Sequence, residues 1–245
     1  MNANRVLTVA ALSTGLCLSA PHGARAGGPA PNTTGASVRG VVRFQGKASA
    51  PKAINMAADP SCSKLHPTPV MWQDIMVNGQ GGLQNVVVFV SDGLGDRTFD
   101  PPAEPAVVDQ KGCVYQPHVL AVRANQKLDL VNDDATAHNI HPQPTNNREW
   151  NKAEPPGTKM EDSFAREEVA IPVKCNIHPW MKGYIAVFKH PYFAVTGKDG
   201  TFDLTNLPPG TYTLKAWHEK LGTSVQTVTI GPNETKDISF VFKSM

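Results

Sequence analysis

Lys174-Cys-Asn-Ile-His-Pro-Trp-Met-Lys182 is the stretch that decides how the rest of the chain is read, because it sets a thiol, an imidazole and a thioether within seven residues. Cys175, His178 and Met181 follow the spacing C-x2-H-x2-M, short enough for one turning loop to aim all three side chains at a single point. A fourth donor has to come from elsewhere. The best placed is His138, in Ala-His-Asn-Ile-His, just past a strand-like run from Lys127 to Asn132. Thiolate and thioether are soft ligands that suit copper, and two imidazoles with one thiolate and a weak axial methionine describe a blue-copper electron-transfer site. A structural zinc site is normally closed by four Cys or His ligands, which this set does not supply. The chain has no C-x-x-C-H, which excludes covalent c-type haem attachment. A single cysteine in the loop also excludes the two-thiolate bridge of a dinuclear copper centre. His141 lies three residues beyond His138 and is read as a surface or supporting residue, since the trigonal site is complete without it.

These residues resemble the amicyanin and plastocyanin type of cupredoxin. Cys175, His178 and Met181 are similar to the short ligand loop of amicyanins, and Asp134 to His141 is similar to the segment that carries the first histidine ligand, a role that falls to His138. The resemblance covers about Val107 to Phe188. It implies that Asn139 ties the two ligand segments together by hydrogen bonds near the thiolate sulfur. It also implies that Pro179 and Trp180 make an apolar docking surface around an exposed edge of His178, with a redox protein such as cytochrome c or a dehydrogenase as partner.

Upstream, residues 1–26 have a positive start at Arg5, a moderately apolar run from Val6 to Ala20, and Ala24-Arg25-Ala26 as a small-residue cleavage site. That pattern is a secretory signal peptide cut after Ala26, and it predicts a periplasmic or secreted protein. No later run approaches the ~20 apolar residues of a spanning helix, so no membrane span is expected. Loss of 1–26 removes two arginines and no acids, taking the formal charge from +2 to zero. With no basic block interleaved with aromatics, nucleic acid is not an expected partner.

Four cysteines are present: Cys17 leaves with the signal, Cys175 is assigned to the metal, and Cys62 and Cys113 remain. In an oxidising compartment those two can persist as a disulfide. Cys62 with His66, and Cys113 with His118, can instead form a second metal site, and the spacing leaves both readings open.

Residues 27–37, rich in Gly, Pro and Thr, read as a flexible linker. Val38 to Gln45 alternates with period two, as a half-buried strand does, and Asn85 to Val90 is an unbroken apolar run bounded by glycines, a strand buried on both faces. Pro51 to Gln80 has no helical period. Val119 to Val131 holds two short strands, Val169 to Val173 leads into the ligand loop and Gly183 to Phe188 leads out of it. Pro142 to Met160 reads as a long loop beside the site. The expected fold is therefore all-β: a Greek-key sandwich or barrel with the metal at one end.

In the last third, Asp199-Gly-Thr-Phe202 marks a turn between strands, and Leu207-Pro-Pro-Gly-Thr-Tyr212 marks a hairpin. Val225 to Ile230 and Lys236 to Phe242 add two more strands. This region resembles the carboxypeptidase regulatory-like, or transthyretin-like, β-sandwich. That module opens with two strands that here lie far upstream, so the expected organisation is discontinuous; the simpler alternative is an N-terminal extension, then the cupredoxin, then a separate C-terminal module. Residues 38–100 plus 190–245 would form the regulatory-like sandwich, and 101–189 the inserted cupredoxin domain. His190 and His218 are read as residues of the seam between domains, bonded to backbone or to Glu219.

The expected function is a type 1 copper protein that carries single electrons and is not itself an enzyme. Nitrite reductase or oxidase chemistry needs further His-rich copper ligands that the sequence lacks. A copper-binding or storage module without electron traffic, and a structural or adhesive β-sandwich protein, are the alternatives.

Overall fold

The computed structural model describes Met1 and residues 35–244, so the stretches expected as signal peptide and, for the most part, as linker lie outside the described residues. Its regular structure, among the described residues, is almost entirely strand. Its elements are β1 (Ala36–Gln45), a short helix α1 (Pro60–Ser63), β2 (Val87–Asp92), β3 (Ala106–Gln110), β4 (Tyr115–Gln116), β5 (Val119–Arg123), β6 (Leu128–Asn132) and β7 (His138–Pro142). They continue with β8 (Lys152–Glu154), β9 (Lys159–Asp162), β10 (Glu168–Lys174), β11 (Lys182–Phe188), β12 (Phe193–Val195), β13 (Thr201–Leu207), β14 (Gly210–His218), β15 (Gly222–Ile230) and β16 (Thr235–Lys243).

One sandwich is built from sheets ordered β13-β1-β16 and β12-β2-β14-β15. Strand β1 runs parallel to β16, with Val42 opposite Phe240, and antiparallel to β13, with Gly40 opposite Phe202. Strand β2 lies antiparallel between β12 and β14. Inward residues Val38, Val42, Val88, Val90, Tyr212, Leu214, Phe202, Leu204 and Phe240 form its core. Because side chains alternate along a strand, Val87 and Phe89 of β2 face the other way, where they join Val119, Ala186 and Phe188 in a second apolar layer. Burial on both faces explains the unbroken apolar run. Gly200 closes the β12–β13 turn with φ +76°, and a Cβ there would lie 2.7 Å from both Leu83 N and Val42 O, so only glycine fits.

The other sandwich has sheets ordered β5-β11-β10-β7-β8 and β4-β3-β6-β9. Its core holds Val108, Leu128, Leu130, Ile140, Phe164, Ile171, Val173, Ile185 and Val187, together with Cys175, Trp180 and Met181 at one end. Residues 142–160, expected as loop, contain β8 and the first two residues of β9; β8 pairs with β7 and β9 with β6, each as the edge strand of its sheet. The Pro, Asn and Gly residues that hid them fall in the turns between.

The stretch between β1 and β2 does not stay with the strands that flank it. Met56 and Cys62 are buried in the second sandwich's core, with Ile54, Val70 and Trp72 packed beside them, while Ile75 and Val77 return to the first. This segment, residues 54–72, forms a roof over the end that carries Cys175. Within it, α1 spans only four residues, too short to leave a periodic signature.

Candidate metal centre

His138 is the first residue of β7, and the β10–β11 loop supplies the other donors. The loop is pinned at its ends: the Cys175 N–H donates to Met181 O (3.2 Å), and the Met181 N–H donates to His178 O (2.9 Å). These turns bring the thiol and the second imidazole to the first. His138 Nδ1 and His178 Nδ1 are 2.9 Å apart, and Cys175 Sγ is 3.9 Å from His178 Nδ1. The donor atoms of His138, Cys175 and His178 lie within 4.8 Å of one another, and all three residues are buried. Met181 is fully buried in the same core.

Asn139 links the two ligand segments. Its Oδ1 accepts from the Asn176 N–H at 2.7 Å and lies 3.4 Å from Cys175 Sγ, while its Nδ2 donates to Asn151 Oδ1 at 2.7 Å. The Tyr115 hydroxyl fixes the same strand by donating to Asn139 O at 2.6 Å.

Both histidines turn their outer nitrogens to carboxylates. His138 Nε2 donates to Asp134 Oδ2 at 2.8 Å, and His178 Nε2 donates to Asp59 Oδ2 at 2.9 Å. An imidazole that donates from Nε2 keeps a lone pair on Nδ1. The inner nitrogens therefore meet lone pair to lone pair, an arrangement that needs a cation, proton or metal, between them. Burial opposes a charge on His138, but Asp134 and Cys175 outweigh it and raise its pKa to about 9. Burial likewise opposes the Cys175 thiolate, yet hydrogen bonds from His138 and from backbone amides hold the thiol below its ordinary pKa. Asp59 is lowered chiefly by its bond to His178. Across the β7–β8 ladder from His138 sits Glu154, fully buried and bonded to Gln110, whose pKa burial pushes up to about 7.

Cys62 and Cys113 are joined as a disulfide. That removes both sulfurs from any second metal site, and the neighbouring histidines disperse: His66 Nε2 bonds to Gly112 O at 2.7 Å, whereas His118 pairs with Glu219. Of the two partners expected for His218, backbone or Glu219, the structure shows backbone: its Nδ1 accepts from the Lys220 N–H at 3.1 Å. His190 Nδ1 accepts from the Tyr192 N–H at 3.2 Å. His141 bonds to Glu149 Oε1 at 2.6 Å and to Asn176 Oδ1 at 3.2 Å, outside the donor cluster.

The expected open edge of His178 is absent. The residue is 2% exposed, Asp59 occupies its Nε2, and Cys62 Sγ lies 3.8 Å from the same nitrogen. Trp180 is turned inward against the His178 ring, with its Nε1–H donating to Cys113 O at 3.1 Å, so it offers no docking face. Of the loop, Asn176, Ile177 and Pro179 remain exposed.

The sequence reading missed Asp59 and Asp134. Asp59 has a local signature, an aspartate directly before a proline at a helix start, where its side chain caps the first turn. Asp134 precedes His138 by four residues and has no such signature.

The carboxypeptidase regulatory-like domain profile matches residues 185–243. No curated protein matches the chain. Among solved structures, the Cu-containing nitrite reductase from Thermus scotoductus is similar at 21% identity and TM-score 0.34, over 40% of this chain and 25% of that one. A purple cupredoxin from Nitrosopumilus maritimus is similar at 24% identity and TM-score 0.29, over 34% of this chain and 98% of that one. Amicyanin from Paracoccus versutus is similar at 18% identity and TM-score 0.31, over 41% of this chain and 96% of that one. The chain resembles a cupredoxin combined with a carboxypeptidase regulatory-like β-sandwich. The profile match takes in β12 to β16, and the strands that complete their two sheets, β1 and β2, come from the other end of the described chain.

Proposed function

We propose that this is an exported type 1 copper protein that carries single electrons, in which His138, Cys175, His178 and Met181 would hold the copper. The observation that carries the reading is the meeting of two imidazole Nδ1 atoms and the Cys175 thiol in one buried cluster. The donor atoms of His138, Cys175 and His178 lie close enough together to share one ion, and a Cys, two His and Met set suits copper. Copper, when bound, supplies a one-electron couple between Cu(I) and Cu(II). The chain's part is to keep the donors in one arrangement for both states. The loop-closing hydrogen bonds, the Asn139 tie and the burial of every donor serve that end.

The domain organisation supported by the strand pairing is a regulatory-like sandwich from residues 38–100 and 190–245, interrupted by the copper domain at 101–189, with the 54–72 segment packed on the copper domain. Export with cleavage after Ala26 and a redox protein partner complete the proposal. No described helix is long and apolar enough to cross a membrane.

The first test is a visible spectrum of the protein after Cu(II) addition and removal of excess metal. An intense blue, green or purple band, bleached by ascorbate and restored by an oxidant, is the expected result. A colourless protein free of copper overturns the reading and leaves a structural β-sandwich protein. A second reading, a module that holds copper without electron traffic, is favoured by the covered edge of His178. Slow electron exchange in a coloured protein would select it.

A further inference from the structure

We infer that Asp59 and Asp134 act as a matched pair of carboxylate braces, holding both histidines as Nδ1 ligands and biasing the centre toward Cu(II), and that the Cys62–Cys113 disulfide holds the two braces together. The inference rests on the copper reading above and deepens it, by assigning residues that set the potential of the site.

The two braces are attached to opposite ends of the disulfide. Asp59 is the N-cap of α1: its Oδ1 accepts from the Ser61 N–H at 2.7 Å and, more weakly, from the Cys62 N–H at 3.4 Å, which leaves Oδ2 for His178. Asp134 is held by the residues at the other end. Its Oδ1 accepts from the Gly112 N–H and its Oδ2 from the Cys113 N–H, each at 2.7 Å, and the same Oδ2 receives His138 Nε2. A continuous path therefore runs from His178 through Asp59, Cys62, Cys113 and Asp134 to His138. The sulfur bridge is the only covalent link in it between the roof and the second sandwich, among the described residues.

A carboxylate on the outer nitrogen of a ligating histidine fixes its tautomer, aims its ring and raises its basicity. Two of them add negative charge at the outer nitrogens of both rings, and at the buried Asp134 that charge is poorly screened. Both effects favour the more positive of the two copper states. Asp134 is itself buried, whereas the Asp59 side chain is 23% exposed, so the two braces differ in how readily they can be changed without disturbing the fold.

The experiment compares the wild type with Asp59→Asn, Asp134→Asn and the double variant Cys62→Ala/Cys113→Ala. Three measurements are made on each: the visible band with copper, the Cu(II)/Cu(I) midpoint, and the protonation of the histidine ring nitrogens by NMR of the metal-free protein. Asparagine removes the charge and leaves one acceptor oxygen where each aspartate uses two. Asp59→Asn is expected to keep the band while the Cu(II)/Cu(I) stability ratio falls at least tenfold, an upward shift of about 59 mV for one electron. Asp134→Asn is expected to shift the same way, and the cysteine double variant to follow Asp59→Asn because the roof loses its anchor. Metal-free wild type is expected to carry a proton on Nε2 of both rings.

A ratio within twofold of wild type in Asp59→Asn overturns the inference, as does a His178 protonated on Nδ1 alone. Should Asp134→Asn not fold, the Asp59 variant decides the question. A colourless wild type overturns the copper reading instead. In that case the ring-nitrogen spectrum still tests the bracing: protons on both Nε2 atoms sustain it, and their absence overturns it.

Discussion

At the scale of single residues, the site is decided by where two protons sit. Imidazole has two nitrogens and one proton to place when neutral, and a carboxylate on Nε2 settles the choice for His138 and His178 alike. The freed Nδ1 atoms and the Cys175 sulfur then have no better partner than a shared cation. Cys175→Ser exchanges the soft sulfur for a hard oxygen, so the intense band is expected to vanish from the visible spectrum. Met181→Leu preserves apolar volume in a fully buried position and is expected to leave a coloured protein with a changed midpoint, measured by redox titration. Loss of copper altogether in Met181→Leu would assign that methionine a stronger role than a weak axial ligand.

At the scale of elements, the segment 54–72 and its disulfide matter most. A four-residue helix has no stability of its own. It is held by the Asp59 cap, by Met56 and Cys62 in the core, and by the bridge to Cys113. Cross-linking residues 51 apart in sequence contributes roughly 4 kcal/mol in the chain-entropy account. Cys62→Ala/Cys113→Ala is therefore expected to lower the unfolding free energy by about that amount in urea titration. A loss below ~1 kcal/mol would mean that packing alone retains the roof.

At the scale of the molecule, two sandwiches share an apolar layer formed by Val87, Phe89, Phe193 and Val195 on one side and Val119, Ala186 and Phe188 on the other. The first sandwich is assembled from both ends of the described chain, since β1 is the strand between β13 and β16. A fragment of residues 190–245 alone lacks two central strands and is expected to be unfolded by circular dichroism. Residues 36–92 joined to 190–245 by a short linker are expected to recover the strand signal. Folding of 190–245 on its own would refute the discontinuous domain.

Stability should also fall with acid. Burial lowers the pKa of His218 from 6.5 to about 4, so the folded state holds it neutral while the unfolded chain takes up a proton. Its contribution is full above pH 6.5 and is lost as the pH falls from 6.5 toward 4. Over that window the wild type is expected to lose more stability than His218→Gln, by about 3 kcal/mol at most. Equal losses in urea titrations of the two proteins would show that His218 is protonated in the folded state.

The sequence by itself determined the all-β class, most strands and a donor set, because period-two alternation, glycine turns and the C-x2-H-x2-M spacing are local and need no partner to be read. It also allowed the Cys62–Cys113 pair, though as one of two readings. Tertiary structure alone decided that Asp59 covers His178, that Trp180 turns inward and that Glu219 meets His118 rather than His218. Each of these contacts joins residues 67 or more positions apart, and such pairs come together only when sheets pack, a step that no local pattern encodes. The short strands β8 and β9 escaped for the same reason. They are held by ladder bonds to β7 and β6 rather than by any alternation of their own.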